Sequence, residues 1–165
     1  IYAGTFSKVL SPGMRVGYAV APSPIIAKMT VCKQTADVHS NIWAQMVAER
    51  FMREYDFEAH LTRIRGIYRE KSRLMMDLMD SELGGIVTYH PIEGGLFLWC
   101  TLPDGVNMMD FCTTAVHNKV AVVPGTAFLA DESASCQSFR VNYSTPTDQQ
   151  LVDGMQILGR LAKQL

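Results

Sequence analysis

The sequence lacks an apolar run near the roughly 20 residues of a membrane-spanning helix, so no membrane partner is expected. It lacks a charge excess. Lys and Arg total 15 against 16 Asp and Glu, a formal net charge of −1, and no field of one sign would gather nucleic acid or an anionic surface. Cysteine is sparse. Cys32, Cys100, Cys112 and Cys136 form no CxxC or CxxH spacing, so no zinc or other metal is expected. They read as unpaired, mostly buried thiols of a reducing, cytoplasmic setting. His39, His60, His90 and His117 also lack ligand spacing and read as structural or exposed. Repeats and low-complexity stretches are missing too. What remains is 48% hydrophobic and 19% charged, enough apolar surface for a packed core.

Residues 1–6 read as a strand already under way, so further sequence is expected upstream of Ile1. Ser11-Pro12-Gly13 marks a turn, and residues 16–20 read as a second strand closed by Pro22 and Pro24. A helix is expected over 24–34 with Ser23 as cap, and another from a Ser40 or Asn41 cap to about Arg53. The clearest helix spans 56–83, where Leu61, Ile64, Tyr68, Met75, Leu78 and Met79 recur near helical spacing. Gly84-Gly85 ends it. Residues 86–90 and 96–101 read as strands flanking Gly94-Gly95, residues 107–118 as a helix with Asn107 as cap, and 120–123 and 138–144 as strands. Thr147 and Gln150 form a capping box before a last helix. The order predicts an α/β chain ending in a small α+β domain, with a hand-over near residues 35–40.

The chemistry concentrates in residues 4–18. Lys8 follows Thr5 and Ser7 at the end of an apolar strand, and Arg15 follows seven positions later, after Pro12-Gly13 and before another strand. Single cations beside a turn are ordinarily solvated. Here both border apolar segments, where an unpaired charge is costly. An amine in a low-dielectric pocket becomes a nucleophile toward aldehydes. A guanidinium fork, helped by hydroxyls, matches a phosphate. An aldehyde that carries a phosphate is the chemistry of pyridoxal 5'-phosphate, PLP.

Thr5-Phe6-Ser7-Lys8, Pro12-Gly13 and Arg15-Val16-Gly17-Tyr18 resemble the PLP attachment site of the fold-type I aminotransferases, classes I and II. The style of the motif is most similar to the 2-aminoadipate and kynurenine aminotransferases. The resemblance implies that Lys8 bonds the cofactor and moves the proton in catalysis. It implies that Thr5, Ser7 and Arg15 contact the phosphate. Thr5 stands where Ser is commoner, which keeps the hydroxyl.

Downstream, Phe139-Arg140-Val141-Asn142-Tyr143-Ser144 resembles the family's late strand, which implies that Arg140 binds the substrate α-carboxylate. By its residues alone, an arginine among apolar neighbours is more often half of a structural ion pair. Pro91 and Gly94-Gly95-Leu96-Phe97-Leu98-Trp99 resemble the family's small-domain strand motif, and Val123-Pro124-Gly125 with Phe128 its substrate-side turn. Both read as mainly structural, and Phe128, which that turn would set beside substrate, is by its residues more often core.

The resemblance runs from the lysine to the last residue. It implies the C-terminal portion of a PLP-dependent transferase fold: residues 1–38 as the end of the large cofactor-binding domain and 39–165 as the small domain. The family's partners of the cofactor ring lie upstream of the lysine, so the isolated chain is expected to be inactive and to bind PLP weakly or not at all. The full-length protein is expected to be a homodimeric aminotransferase acting on amino acids and 2-oxo acids. The alternatives are a PLP-dependent β-lyase and the PLP-binding sensor body of a transcription regulator.

Overall fold

The computed structural model describes residues 1–131 and 133–165, which divide into two compact units, Ile1–Arg65 and Gly66–Leu165. The boundary falls inside a helix. The expected hand-over at 38/39 falls between a helix that ends at Ala36 and one capped by Asn41.

The first unit opens with an antiparallel ribbon of β1 (Tyr2–Thr5) and β2 (Gly17–Val20), paired from Tyr2↔Val20 to Thr5↔Gly17. Aromatic rings bind it together. Tyr18 lies 6.1 Å from Tyr2 and 5.8 Å from Phe6, centre to centre. Gly4 makes room for this, since a Cβ there would overlap the Tyr18 ring. Helix α1 (Ser23–Ala36) begins one residue earlier than expected. The carbonyl of Pro22 accepts from the amides of Ile25 and Ile26, so Pro22 caps and Ser23 is already helical. Helix α2 (Ile42–Glu54) starts at Asn41, whose Oδ1 accepts from the amides of Trp43 and Ala44.

Helix α3 (Phe57–Leu78) crosses the unit boundary and is capped by Asp56, which accepts from the Ala59 amide at 2.8 Å. It closes in a wide π turn, Met79–Leu83. The second unit adds a four-stranded antiparallel sheet in the order β3-β4-β6-β5. Its strands are β3 (Thr88–Tyr89), β4 (Phe97–Thr101), β5 (Val123–Pro124) and β6 (Ser138–Asn142), with helices α4 (Met108–His117) and α5 (Asp148–Ala162).

β3 and β5 fall furthest short of the apolar runs 86–90 and 120–123. The amides of Ile86 and Val87 are spent on the Leu83 carbonyl at the end of the π turn, so β3 cannot begin there. The Val120 amide bonds the Ala115 carbonyl at the end of α4, which leaves Val123–Pro124 as the paired segment of the expected 120–123 strand. β5 is an edge strand, where a proline without an N–H is tolerated.

Alternation along the strands sorts the sheet into two faces. Leu98 and Cys100 of β4, with Phe139 and Val141 of β6, join Met75, Met79, Leu83, Phe111, Leu151, Met155 and Leu158 in one core. Burial of a side chain such as Phe139 or Leu98 contributes about 1.5–3 kcal/mol. Tyr143, fully buried, closes the core and donates to the Gly95 carbonyl at 2.9 Å. The opposite face carries Phe97, Trp99 and Arg140. No helix is long and apolar enough to cross a membrane, among the described residues.

Candidate active site

The β1–β2 ribbon brings Thr5, Ser7, Lys8 and Arg15 to one end of one hairpin. Its loop folds back on itself: Phe6 N–H donates to the Val16 carbonyl at 3.1 Å, and the amides of Leu10 and Ser11 donate to the Phe6 carbonyl at 2.9 and 3.1 Å. The Thr5 hydroxyl donates to Ser7 Oγ at 3.0 Å and accepts from the Ser7 amide at 3.1 Å. In that bond Ser7 Oγ accepts, which leaves its own hydrogen for a further acceptor.

Pro12–Met14 makes one 3-10 turn that ends on Arg15 in the left-handed region, φ 54° and ψ 41°. For a side chain as large as arginine this conformation costs on the order of 1–2 kcal/mol, and such strain clusters at functional positions. It aims one arm of the guanidinium back at the turn, where Nη1 donates to the Pro12 carbonyl at 3.2 Å. The planar fork carries five N–H donors, so one such bond leaves the rest for an anion.

The sequence pattern led to the expectation that both cations sit in a low-dielectric setting. That is corrected by the structure: Lys8, Arg15 and Thr5 are exposed and Ser7 is half-buried. A two-stranded ribbon exposes most of its residues and cannot dry out the loop at its end. Tyr18, beyond Arg15, has its hydroxyl held above the usual tyrosine range, first by a hydrogen bond shared with Tyr2.

Arg140 belongs to the second unit. It pairs with Trp99 across β4–β6 and with Val123 across β5–β6. No ion pair joins Arg140 to an acidic residue, among the described residues. The guanidinium carbon lies instead 3.9 Å from the centre of the Phe97 ring and 4.7 Å from that of Phe128. Trp99 meets Phe128 edge-on at 5.5 Å. A cation flanked by two rings keeps the edges of its fork for a planar anion.

Beneath this face the Cys100 thiol is pushed up to about 12 by burial, and burial also raises the Tyr143 hydroxyl. The cysteines are unpaired: Cys100 and Cys112 are buried, Cys136 half-buried and Cys32 exposed. No group of three or more His, Cys, Asp or Glu is placed to hold a metal ion, among the described residues.

Residues 1–158 match the family model described as aminotransferase class I and II. The chain belongs to the class I and II aminotransferases. It is 38% identical over its full length to a 2-aminoadipate transaminase of Thermus thermophilus, of which it covers 41%. Its fold superposes with a TM-score of 0.89 on the crystal structure of LysN, an alpha-aminoadipate aminotransferase of Thermus thermophilus complexed with N-(5'-phosphopyridoxyl)-L-leucine. There it is 37% identical and covers 99% of this chain and 41% of that one. It is also 25% identical over 165 residues to an uncharacterized HTH-type transcriptional regulator, YdfD, of Bacillus subtilis, matching 100% of this chain and 34% of that protein. The chain thus spans about two fifths of the length of the curated aminotransferase it matches.

The motifs name Phe97 and Phe128 as well as the loop and Arg140, but not that both rings pack on the Arg140 guanidinium. The two rings that hold Arg140 carry a weak signal, since Phe97 sits two positions before the Trp99 that pairs with Arg140, and same-face residues of a strand are two apart. His60 carries no such signal. It lies 51 positions from Val9, whose carbonyl it meets.

Proposed function

We propose that the full-length protein is a PLP-dependent aminotransferase that moves an amino group from an amino acid to a 2-oxo acid. Lys8 is its catalytic lysine, Thr5, Ser7 and Arg15 are its phosphate contacts, and Arg140 is its carboxylate contact. The observation that carries this reading is the donor set at one hairpin end: an amine, a strained guanidinium and a hydroxyl pair. That set fits a phosphorylated aldehyde in kind and number. The complexed relative, whose name records a phosphopyridoxyl amino acid, supports the same group. The functional boundary is proposed at 38/39, where α1 gives way to the Asn41 cap of α2.

When bound, PLP supplies an electron sink for the α-carbon of an amino acid. The chain's own groups do the rest. The Lys8 Nζ would hold the cofactor and, once released, would carry the proton from the substrate α-carbon to the cofactor. Arg15 and the hydroxyls of Thr5 and Ser7 would hold its phosphate. Arg140 orients the carboxylate, and orientation decides which bond at the α-carbon lies in line to break. A 2-aminoadipate-like donor is proposed from the 38% identical relative.

A homodimer in a cytoplasmic setting is proposed for the full-length protein. The exposed apolar residues Val31 of α1 and Ile42, Trp43 and Met46 of α2 support an interface on these helices. The 165 residues alone are proposed to be inactive and to bind PLP weakly, because Lys8 and Arg15 are exposed rather than enclosed.

The test is turnover of the full-length protein with 2-aminoadipate and a 2-oxo acid. Lys8→Ala is expected to lower it by about a thousandfold, the range of a positioned acid–base group. Unchanged turnover would end the assignment. The similarity to YdfD favours a second reading, in which this body senses PLP for a regulator. Tight PLP binding with no turnover in the unsubstituted protein would decide for that reading.

A further inference from the structure

The His60 side chain ties the loop that carries Lys8 to helix α3. His60 Nε2 lies 2.9 Å from the carbonyl oxygen of Val9, the residue after Lys8. A carbonyl can only accept, so Nε2 carries the proton and donates. On the far side of the ring, Arg63 Nη2 lies 3.5 Å from Nδ1. A guanidinium can only donate, so Nδ1 is the acceptor. The two neighbours select the same tautomer.

The ring's orientation is also set. Phe51 meets it edge-on at 5.3 Å and 82°, Phe57 lies nearly parallel to it at 6.2 Å, and Phe51 and Phe57 contact one another edge-on at 6.3 Å. The peptide that His60 reaches is held at its other end as well. Its oxygen accepts from His60, and its N–H, that of Leu10, donates to the Phe6 carbonyl at 2.9 Å. With both ends engaged, the plane of the Val9–Leu10 peptide is fixed, and with it the direction in which the chain leaves Lys8.

We infer that His60 is a positioning residue for Lys8. It acts through the Val9 carbonyl rather than on the reacting atoms. It holds the Lys8 loop against α3, so that the amine returns to one place each time it lets go of and retakes its partner. This rests on the reading of Lys8 as the cofactor lysine. A proton transfer depends steeply on the placement of its donor and acceptor, whereas ground-state binding depends on it less. Loosening the loop is therefore expected to appear in kcat rather than in KM.

Two variants of the full-length protein separate the hydrogen bond from the bulk of the ring. His60→Met fills the space with no donor, and His60→Gln restores an N–H at similar reach. Hydrogen–deuterium exchange over residues 6–11 without cofactor reads the tether. The amides of Leu10 and Ser11 are expected to exchange about tenfold faster in H60M and within about threefold of the unsubstituted protein in H60Q, the scale of one net hydrogen bond. Kinetically, H60M is expected to lose about tenfold in kcat with KM within about twofold, and H60Q to recover most of the loss.

Unchanged exchange in H60M would overturn the tether. Faster exchange with unchanged kcat would overturn the positioning role, as would an H60Q no better than H60M. Turnover retained by Lys8→Ala would instead remove the functional reading, while the exchange result would still report on the tether.

Discussion

The Arg140 guanidinium carbon stands 3.9 Å from the centre of the Phe97 ring on the strand beside it. That contact engages the cation through the ring face, and the N–H donors of the fork can still make a two-point contact. A lysine there would keep the charge but present a single point. In the full-length protein Arg140→Lys is expected to weaken kcat/KM for the amino acid by about 2 kcal/mol, near 30-fold. Steady-state kinetics with one amino acid at fixed 2-oxo acid check it. Unchanged kcat/KM would mean that the carboxylate binds elsewhere.

Phe128 is the second ring, 4.7 Å from the same guanidinium carbon and in edge contact with Trp99. Phe128→Leu keeps much of the apolar volume and removes the π face. The expected cost in substrate affinity is about 0.5–1 kcal/mol, the range of an exposed cation–π contact. The KM of F128L in the full-length protein measures it, and the change should shrink when Arg140 is already lysine.

Glycines on two helices make a matched pair for stability. A Cβ on Gly159 of α5 would lie 2.7 Å from the Glu82 carbonyl oxygen of the π turn, whereas one on Gly66 of α3 meets nothing within 4 Å. Gly159→Ala is expected to lower stability by about 1–3 kcal/mol, as overpacking does. Gly66→Ala is expected to raise it by about 0.5–1 kcal/mol through helix propensity. Thermal or denaturant unfolding of the two variants gives opposite signs if the packing is as described.

Burial pushes the Cys100 thiol up to about 12 and that of Cys112 up to about 11, from an ordinary value of 9.0. Above pH 9 the unfolded chain releases these protons while the folded chain keeps them. The folded state then binds more protons, so stability falls as pH rises. The thiol contribution is therefore complete below pH 9 and declines toward pH 12. Unfolding free energies measured across that window should fall. The fall just above pH 9 should flatten in a Cys100→Ala, Cys112→Ala double variant.

The ribbon and the caps of Asn41, Asn107 and the Thr147–Gln150 box were legible in the sequence because each depends on residues a few positions apart. So was the amphipathic run of α3. Strand lengths were not, because Val120 and Ile86 are good strand formers whose amides are claimed by neighbouring helix ends. The site divides the same way. Thr5, Ser7, Lys8 and Arg15 share one hairpin and so one motif. The solvation of Lys8 and Arg15 depends on what packs over a two-stranded ribbon, and no local pattern encodes that. His60 reaches Val9 across 51 positions through a helix whose hydrophobic spacing says nothing of the loop it meets.

Lys8 is proposed as the residue that bonds PLP. Borohydride reduction of the PLP-loaded full-length protein fixes the lysine–cofactor link, and peptide mass spectrometry then locates it. The phosphopyridoxyl mass on Lys8 is the predicted result. The same mass on another lysine, such as Lys28 or Lys33, with Lys8 unmodified, would contradict the account.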